Sequence, residues 1–186
     1  MYRKLGLIVG SSSALLLLAG CGQKVTVNCP VEPTSIERFS LCLTDGWTHE
    51  TERFGEEGSF VVSIKANTGT GVAMRMHVKK DPLEGSVFSS IEFAERAIDI
   101  TRQRAPHYKA VSTEPMMVGN KETILHIFDA SESEEGEPVR YYQFVTTNDE
   151  IAYGFTAVIS PNVDENGKET LLAILKSVTF VNTASY

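Results

Sequence analysis

Apolar and polar residues alternate with period two through most of the chain after residue 39, which is the signature of half-buried strands. Phe60, Val62 and Ile64 fall on one side of such a stretch, with Val61, Ser63 and Lys65 on the other. Met74, Met76 and Val78 share one face of the next. Strands are therefore predicted over 60–66 and 72–79. The turn cluster Asn67-Thr68-Gly69-Thr70-Gly71 joins them into a hairpin. Phe39-Ser40-Leu41-Cys42-Leu43 predicts an earlier strand, ended by Asp45-Gly46. Further strands are predicted over 108–114, 123–129, 139–147 and 153–159. In the 123–129 stretch, Ile124, His126 and Phe128 alternate with Leu125 and Ile127, so both faces read as buried. Tyr141, Tyr142, Phe144 and Val145 make 139–147 rich in β-forming residues.

Two segments break this period. Ser89-x-x-Glu92 has the form of a capping box, and Phe88 and Phe93 flank it as a hydrophobic staple. Ile91, Ala94, Ile98 and Thr101 then recur at helical spacing beside Ala97. Acidic residues stand early and Arg102 and Arg104 late, as the helix dipole favours. Pro106 forbids continuation. A second helix is predicted over 168–176, with Leu171, Leu172 and Leu175 on its apolar side. Strands joined by hairpins, with two helices to cover them, define an α+β fold with a mostly antiparallel sheet.

The first residues are of another kind. Arg3 and Lys4 precede an apolar run from Leu5 to Leu18, and Leu18-Ala19-Gly20-Cys21 follows. A charged start, a short apolar stretch and small residues at a cut form a secretory signal. The run is shorter than the ~20 apolar residues a spanning helix needs. A cut immediately before a cysteine resembles the lipobox of bacterial lipoproteins. That resemblance implies that residues 1–20 are removed, that Cys21 is lipidated and that the membrane is reached through this anchor. Residues 21–34, with Pro30 and Pro33, read as a tether, although 25–27 has the makings of a short edge strand. Residues 35–186 are expected to form a single domain. The expected location is the bacterial cell envelope. With two membranes present, Gly22 after the lipid site points to the outer membrane, facing the periplasm.

Charge narrows the partners. The chain carries 24 acidic and 17 basic residues, and the cut removes two of the basic ones. Phosphate backbones need a basic surface, so nucleic acid is excluded as an expected partner. Two cysteines remain after Cys21. In an oxidising compartment Cys29 and Cys42 are expected to form a disulfide; two free thiols, with Cys42 buried as a small hydrophobe, are the alternative.

Phe39-Ser40-Leu41-Cys42-Leu43-Thr44-Asp45-Gly46-Trp47 resembles the opening strand and Gly-Trp turn of the PsbP-like and DcrB-like proteins. Ile174-Leu175-Lys176-Ser177-Val178-Thr179-Phe180 resembles their last helix and closing strand. The resemblance covers 36–181. Thr44 stands where those proteins commonly carry proline, and Cys42 is unusual in the strand. It implies an α/β/α sandwich around an antiparallel sheet, and adaptor work instead of a reaction, since members include photosystem accessory proteins, a small-GTPase-binding protein and many bacterial lipoproteins.

No residue pattern names a catalytic site, a cofactor or a metal. His49, His77, His107 and His126 lack ligand spacing; His77 and His126 sit on predicted strands and are the pair to watch. The acidic run Asp129, Glu132, Glu134, Glu135, Glu137 reads as a solvated hairpin tip, with Ca²⁺ binding as the competing reading. Asp164-Glu165-Asn166-Gly167 reads as a turn and helix cap. No Gly-x-Ser-x-Gly nucleophile motif is present. Tyr141, Tyr142, Phe144 and Tyr153 read as core and cross-strand packing before a binding patch. The expectation is a non-catalytic, lipid-anchored adaptor with an envelope protein as partner. A small-molecule or metal-binding lipoprotein and an inhibitor or immunity-type lipoprotein are the alternatives.

Overall fold

A computed structural model describes residues 34–36, 38–54, 59–67, 71–85 and 88–181. In chain order the elements are β1 (Thr34–Ile36), β2 (Phe39–Leu41), β3 (Trp47–Phe54), β4 (Ser59–Ala66), β5 (Val72–Pro82) and α1 (Ser90–Arg104). They continue with β6 (Lys109–Val118), β7 (Lys121–Ala130), β8 (Val139–Asn148), β9 (Ile151–Ile159), α2 (Glu165–Lys176) and β10 (Thr179–Phe180). Seven strands form one sheet in the order β3-β4-β5-β9-β8-β7-β6, every neighbouring pair antiparallel. The chain thus makes two meanders, and β5 and β9 join them along Met74↔Ile159 to Pro82↔Ile151. β1, β2 and β10 form a small second sheet.

Alternation decides which face is core. Phe60, Val62 and Ile64 on β4, Met74, Met76 and Val78 on β5, Phe144 on β8 and Tyr153, Phe155 and Ala157 on β9 are buried together. Phe39 and Leu41 of the small sheet and Leu171, Ile174 and Leu175 of α2 close over them. The rings of Phe39 and Phe155 meet edge to face at 5.3 Å, and Phe144 stacks on Phe155 at 4.5 Å. On the other face α1 packs over β7 and β8 through Ala94, Ala97 and Val145. The result is the expected α+β sandwich, with helices on both faces of the sheet.

The first helix begins where its cap places it. Ser89 Oγ accepts from the Glu92 N–H at 3.2 Å, and Glu92 Oε2 accepts from the Ser89 N–H at 2.7 Å. These bonds hold the Glu92 carboxyl below its ordinary pKa. Phe88 and Phe93 meet edge to face at 5.5 Å, so the staple forms as well. Ser89→Ala is expected to cost about 1 kcal/mol, read as a lower midpoint in thermal unfolding. α2 starts three residues before its apolar face predicts, because Asp164 accepts from the Gly167 N–H at 2.7 Å and caps it.

Two strands depart from the sequence reading. β3 reads Trp-Thr-His-Glu-Thr-Glu-Arg-Phe, with polar residues at every position from Thr48 to Arg53. As an edge strand it carries a polar surface, so no apolar period marks it. Thr34, assigned to the tether, opens β1 and pairs with Leu41. Cys42 follows β2, buried, with its N–H donating to Ser177 Oγ at 2.9 Å. Its thiol is not free. Cys21 and Cys29, and the edge strand expected at 25–27, lie outside the described residues.

Candidate functional site

The sheet is covered unequally. α2 and the small sheet close the core face, while on the other α1 packs chiefly over β7 and β8, with Ala152 at the start of β9 in the same buried cluster. Over β5, β4, β3 and most of β9 no described helix packs on that second face; it exposes Arg75, His77 and Lys79 of β5, while Val61 of β4 and Ala152 of β9 are buried there. Its positions follow from register: Gly154, Thr156 and Val158 on β9, then Arg75, His77 and Lys79 on β5, then Val61, Ser63 and Lys65 on β4, then Glu50 and Glu52 on β3. Arg75, His77 and Lys79 are exposed, as are Glu50 and Glu52. Lys65 Nζ meets Glu50 at 2.6 Å and Lys79 Nζ meets Asp81 at 2.9 Å. Gly154 leaves open space, for a Cβ added there would have nothing within 4 Å.

One cross-strand row runs under α1 and out onto this face: His77, Thr156, Gln143, His126, Thr113. His77 and His126 therefore share a face but stand three strand spacings apart, about 14 Å. They do not meet. Thr101 of α1 donates to Gln143 Oε1 at 3.2 Å and pins the helix to this row. His126 is 1% exposed. Its Nε2 lies 2.9 Å from Tyr108 Oη, its ring stacks on Phe128 at 4.6 Å, and Phe128 stacks on Tyr141 at 5.2 Å. Nδ1 is buried with no hydrogen-bond partner.

Burial pushes the His126 pKa below the ordinary 6.5, opposed by the Gln143 amide and aided by the positive Arg102. The folded state thus disfavours the proton that the unfolded chain accepts near pH 6.5. Between the folded and unfolded values the unfolded state binds more protons, so stability rises with pH. The contribution is fully present above pH 6.5 and is lost as pH falls towards the folded value. Urea melts are expected to show less stability at pH 5 than at pH 7.5, and His126→Phe, which suits the aromatic stack, should flatten that slope.

The remaining sequence candidates stay apart. Arg140 grips Asp129 with Nε at 2.8 Å and Nη2 at 3.0 Å, which lowers the Asp129 pKa. The first carboxylate of the acidic run is therefore engaged by a guanidinium. His107, at φ 54°, places Nε2 2.7 Å from the Glu134 carbonyl and ties that loop to the end of α1. His49 lies on β3. Among the described residues no group of three or more His, Cys, Asp or Glu is placed to hold a metal ion. Phe144 and Tyr153 are buried core, Tyr141 packs on Phe128, and Tyr142 is half-buried against the core. Burial raises the pKa of both Tyr141 and Tyr142. The crevice under α1, lined by Ala94, Ala97, Ile98, Ile124, His126 and Val145, has no room for a water molecule.

Arg75, Lys79, Gly154 and Thr156 were not singled out by sequence reasoning. The signal within reach was the basic residue at every second position of β5, between Met74, Met76 and Val78.

The architecture belongs to the PsbP-like class of α+β folds. The cyanobacterial PsbP of Synechocystis sp. PCC 6803 superposes with a TM-score of 0.52 at 11% identity, covering 88% of this chain and 99% of that one. A Pseudomonas aeruginosa protein of unknown function also gives a TM-score of 0.52, at 10% identity, over 69% of this chain and 94% of that one. At such identities the likeness shows the fold alone. No protein-family model and no curated protein matches the chain.

Proposed function

We propose that this protein is a lipid-anchored adaptor of the bacterial cell envelope, tethered through Cys21 and docking an envelope protein on the bare half of its sheet. The observation that carries the reading is the unequal cover of that sheet: among the described residues no helix covers the second face of β3, β4, β5 and most of β9, and Arg75, His77 and Lys79 stand exposed there. The leader ending in Leu18-Ala19-Gly20-Cys21 supports the anchor. The PsbP-like and DcrB-like resemblance supports adaptor work, and the outer membrane, facing the periplasm, is the proposed location where two membranes exist. The domain is proposed to be non-catalytic. The water-tight crevice under α1 weighs against a small-molecule site there.

Cys29 is proposed as the disulfide partner of Cys42, which would clip the tether beside β2. Peptide mapping without reductant is expected to recover the two cysteines linked; recovery of free Cys29 would contradict it.

The test of the adaptor reading is native electrophoresis after mild detergent extraction. The protein should migrate in an assembly heavier than itself, and Gly154→Trp, which fills the open face without crowding the backbone, should release it. Migration as a monomer in both cases would refute the reading.

A further inference from the structure

The bare face has a chemistry of its own. β9 lies between β5 and β8, and α1 stands over β8, so the strip above β9 is a channel about two strand spacings, roughly 10 Å, across. Gly154, Thr156 and Val158 line its floor, none of them charged. Arg75, His77 and Lys79 line its open side. No acidic residue faces this stretch from β9. On the neighbouring strands Glu50 is held by Lys65 and Asp81 by Lys79. An exposed pair such as Lys79 with Asp81 exchanges partners at little cost. Arg75 and His77 have no ion pair among the described residues.

We propose that this channel docks an extended acidic segment of the partner protein, lying along β9 with its carboxylates on Arg75, His77 and Lys79. The proposal rests on the adaptor reading above and names the chemistry of what is bound. Three points select that occupant. The chain carries a formal charge of −7, so a basic stripe stands out against its surface and gives an acidic partner a single register. Alternate residues of a strand recur every ~6.8 Å, so carboxylates at alternate positions of an extended segment match the stripe residue for residue. Glu50 and Glu52, two and more strands away on the edge, repel an acidic segment that strays across β4 and confine it to β5 and β9. The guanidinium of Arg75 offers a bidentate grip on one carboxylate, and the absent side chain of Gly154 lets the segment's backbone lie close to the floor.

The probe is a short fluorescent peptide of alternating Glu and Ser, titrated against the full lipidated chain in detergent and followed by anisotropy. Binding should weaken as salt is raised. Arg75→Glu with Lys79→Glu should weaken it by about tenfold or more, and Gly154→Trp should abolish it while leaving the melting temperature near that of the unmodified protein. Lys168→Glu, on α2 at the opposite face, should leave it unchanged. Loss of affinity in Lys168→Glu equal to that in the stripe variant would overturn the proposal, because attraction would then be general. Vesicles of anionic lipid that bind the full chain and lose it with the same stripe substitutions, while the peptide does not bind, would overturn it in favour of a lipid surface. If Gly154→Trp releases the native assembly but reversal of Arg75 and Lys79 does not, the adaptor reading survives and the acidic segment falls.

Discussion

Phe155→Ala is expected to remove about 3–5 kcal/mol of unfolding free energy, the largest loss from any single side chain considered for this fold. Phe155 is wholly buried at the centre of β9. It stacks on Phe144 at 4.5 Å with rings 9° from parallel, and meets the edge of Phe39 at 5.3 Å. Opposite Val78 of β5 it sits on the seam where the two meanders join, and through Phe39 it ties the small sheet to the large one. Truncation would leave a cavity shared by all three, and layers held from both sides collapse little into such a space. A domain of this size has only about 5–15 kcal/mol of net stability, so the loss should be plain in a urea titration. Ile100→Ala is the contrast: Ile100 is 52% exposed on α1, and a change there is expected to stay within about 0.5 kcal/mol. Equal losses in the two variants would contradict the layered core described here.

Cys21→Ser is expected to move the protein wholly out of the membrane fraction or to leave it as an unprocessed precursor. The argument is the leader itself, whose small residues Ala19 and Gly20 precede the cysteine. Each buried CH₂ of an acyl chain contributes about 0.8 kcal/mol, so stable anchoring takes more than one chain, and deleting their only attachment atom deletes all of it at once. Among the described residues no helix is long and apolar enough to cross a membrane. The surface charge is acidic overall, which gives no electrostatic hold on anionic lipid. Fractionation of cells followed by intact mass measurement checks this directly. A mature protein starting at Cys21 without added lipid mass would contradict the anchor, wherever the domain was found.

The sequence announces those parts of the fold whose signals are local. The capping box at Ser89 and Glu92 and the staple of Phe88 and Phe93 set the start of α1 from residues only a few positions apart. Alternation along β4, β5, β7 and β9 marks each strand because one face meets a core or, for β7, because both do. β3 escaped because an edge strand with solvent on its flank has no apolar stripe to show. The extension of β5 to Pro82 escaped because pairing with Ala152 and Ile151 prolongs the strand past its apolar residues; that of β6 to Val118 escaped because its buried residues, Met116 and Val118, come only after Pro115, which reads as a strand breaker.

The candidate site was half legible for the same reason. Burial of His126 follows from the apolar residues at Ile124 and Phe128 on its own face. That His77 shares a row with it but stands three strands away depends on β5 pairing with β9, a contact between segments about eighty residues apart in sequence. So does the channel, whose wall comes from 75–79 and whose floor comes from 154–158. Pattern within one strand tells which side of it is wet. Only the order of strands tells which wet sides are neighbours, and only the placement of α1 tells which of them stay uncovered.

The central claim is that the bare face over β9 is where the partner sits, and site-specific photo-crosslinking in native membranes tests it most directly. A photoreactive amino acid at Thr156, on the channel floor, should give one discrete adduct of higher mass, and the same group at exposed Glu169 on α2 should give none. The adduct should disappear when Gly154→Trp is added to the Thr156 chain. An adduct from Glu169 with none from Thr156 would place the partner on the opposite layer and contradict the account.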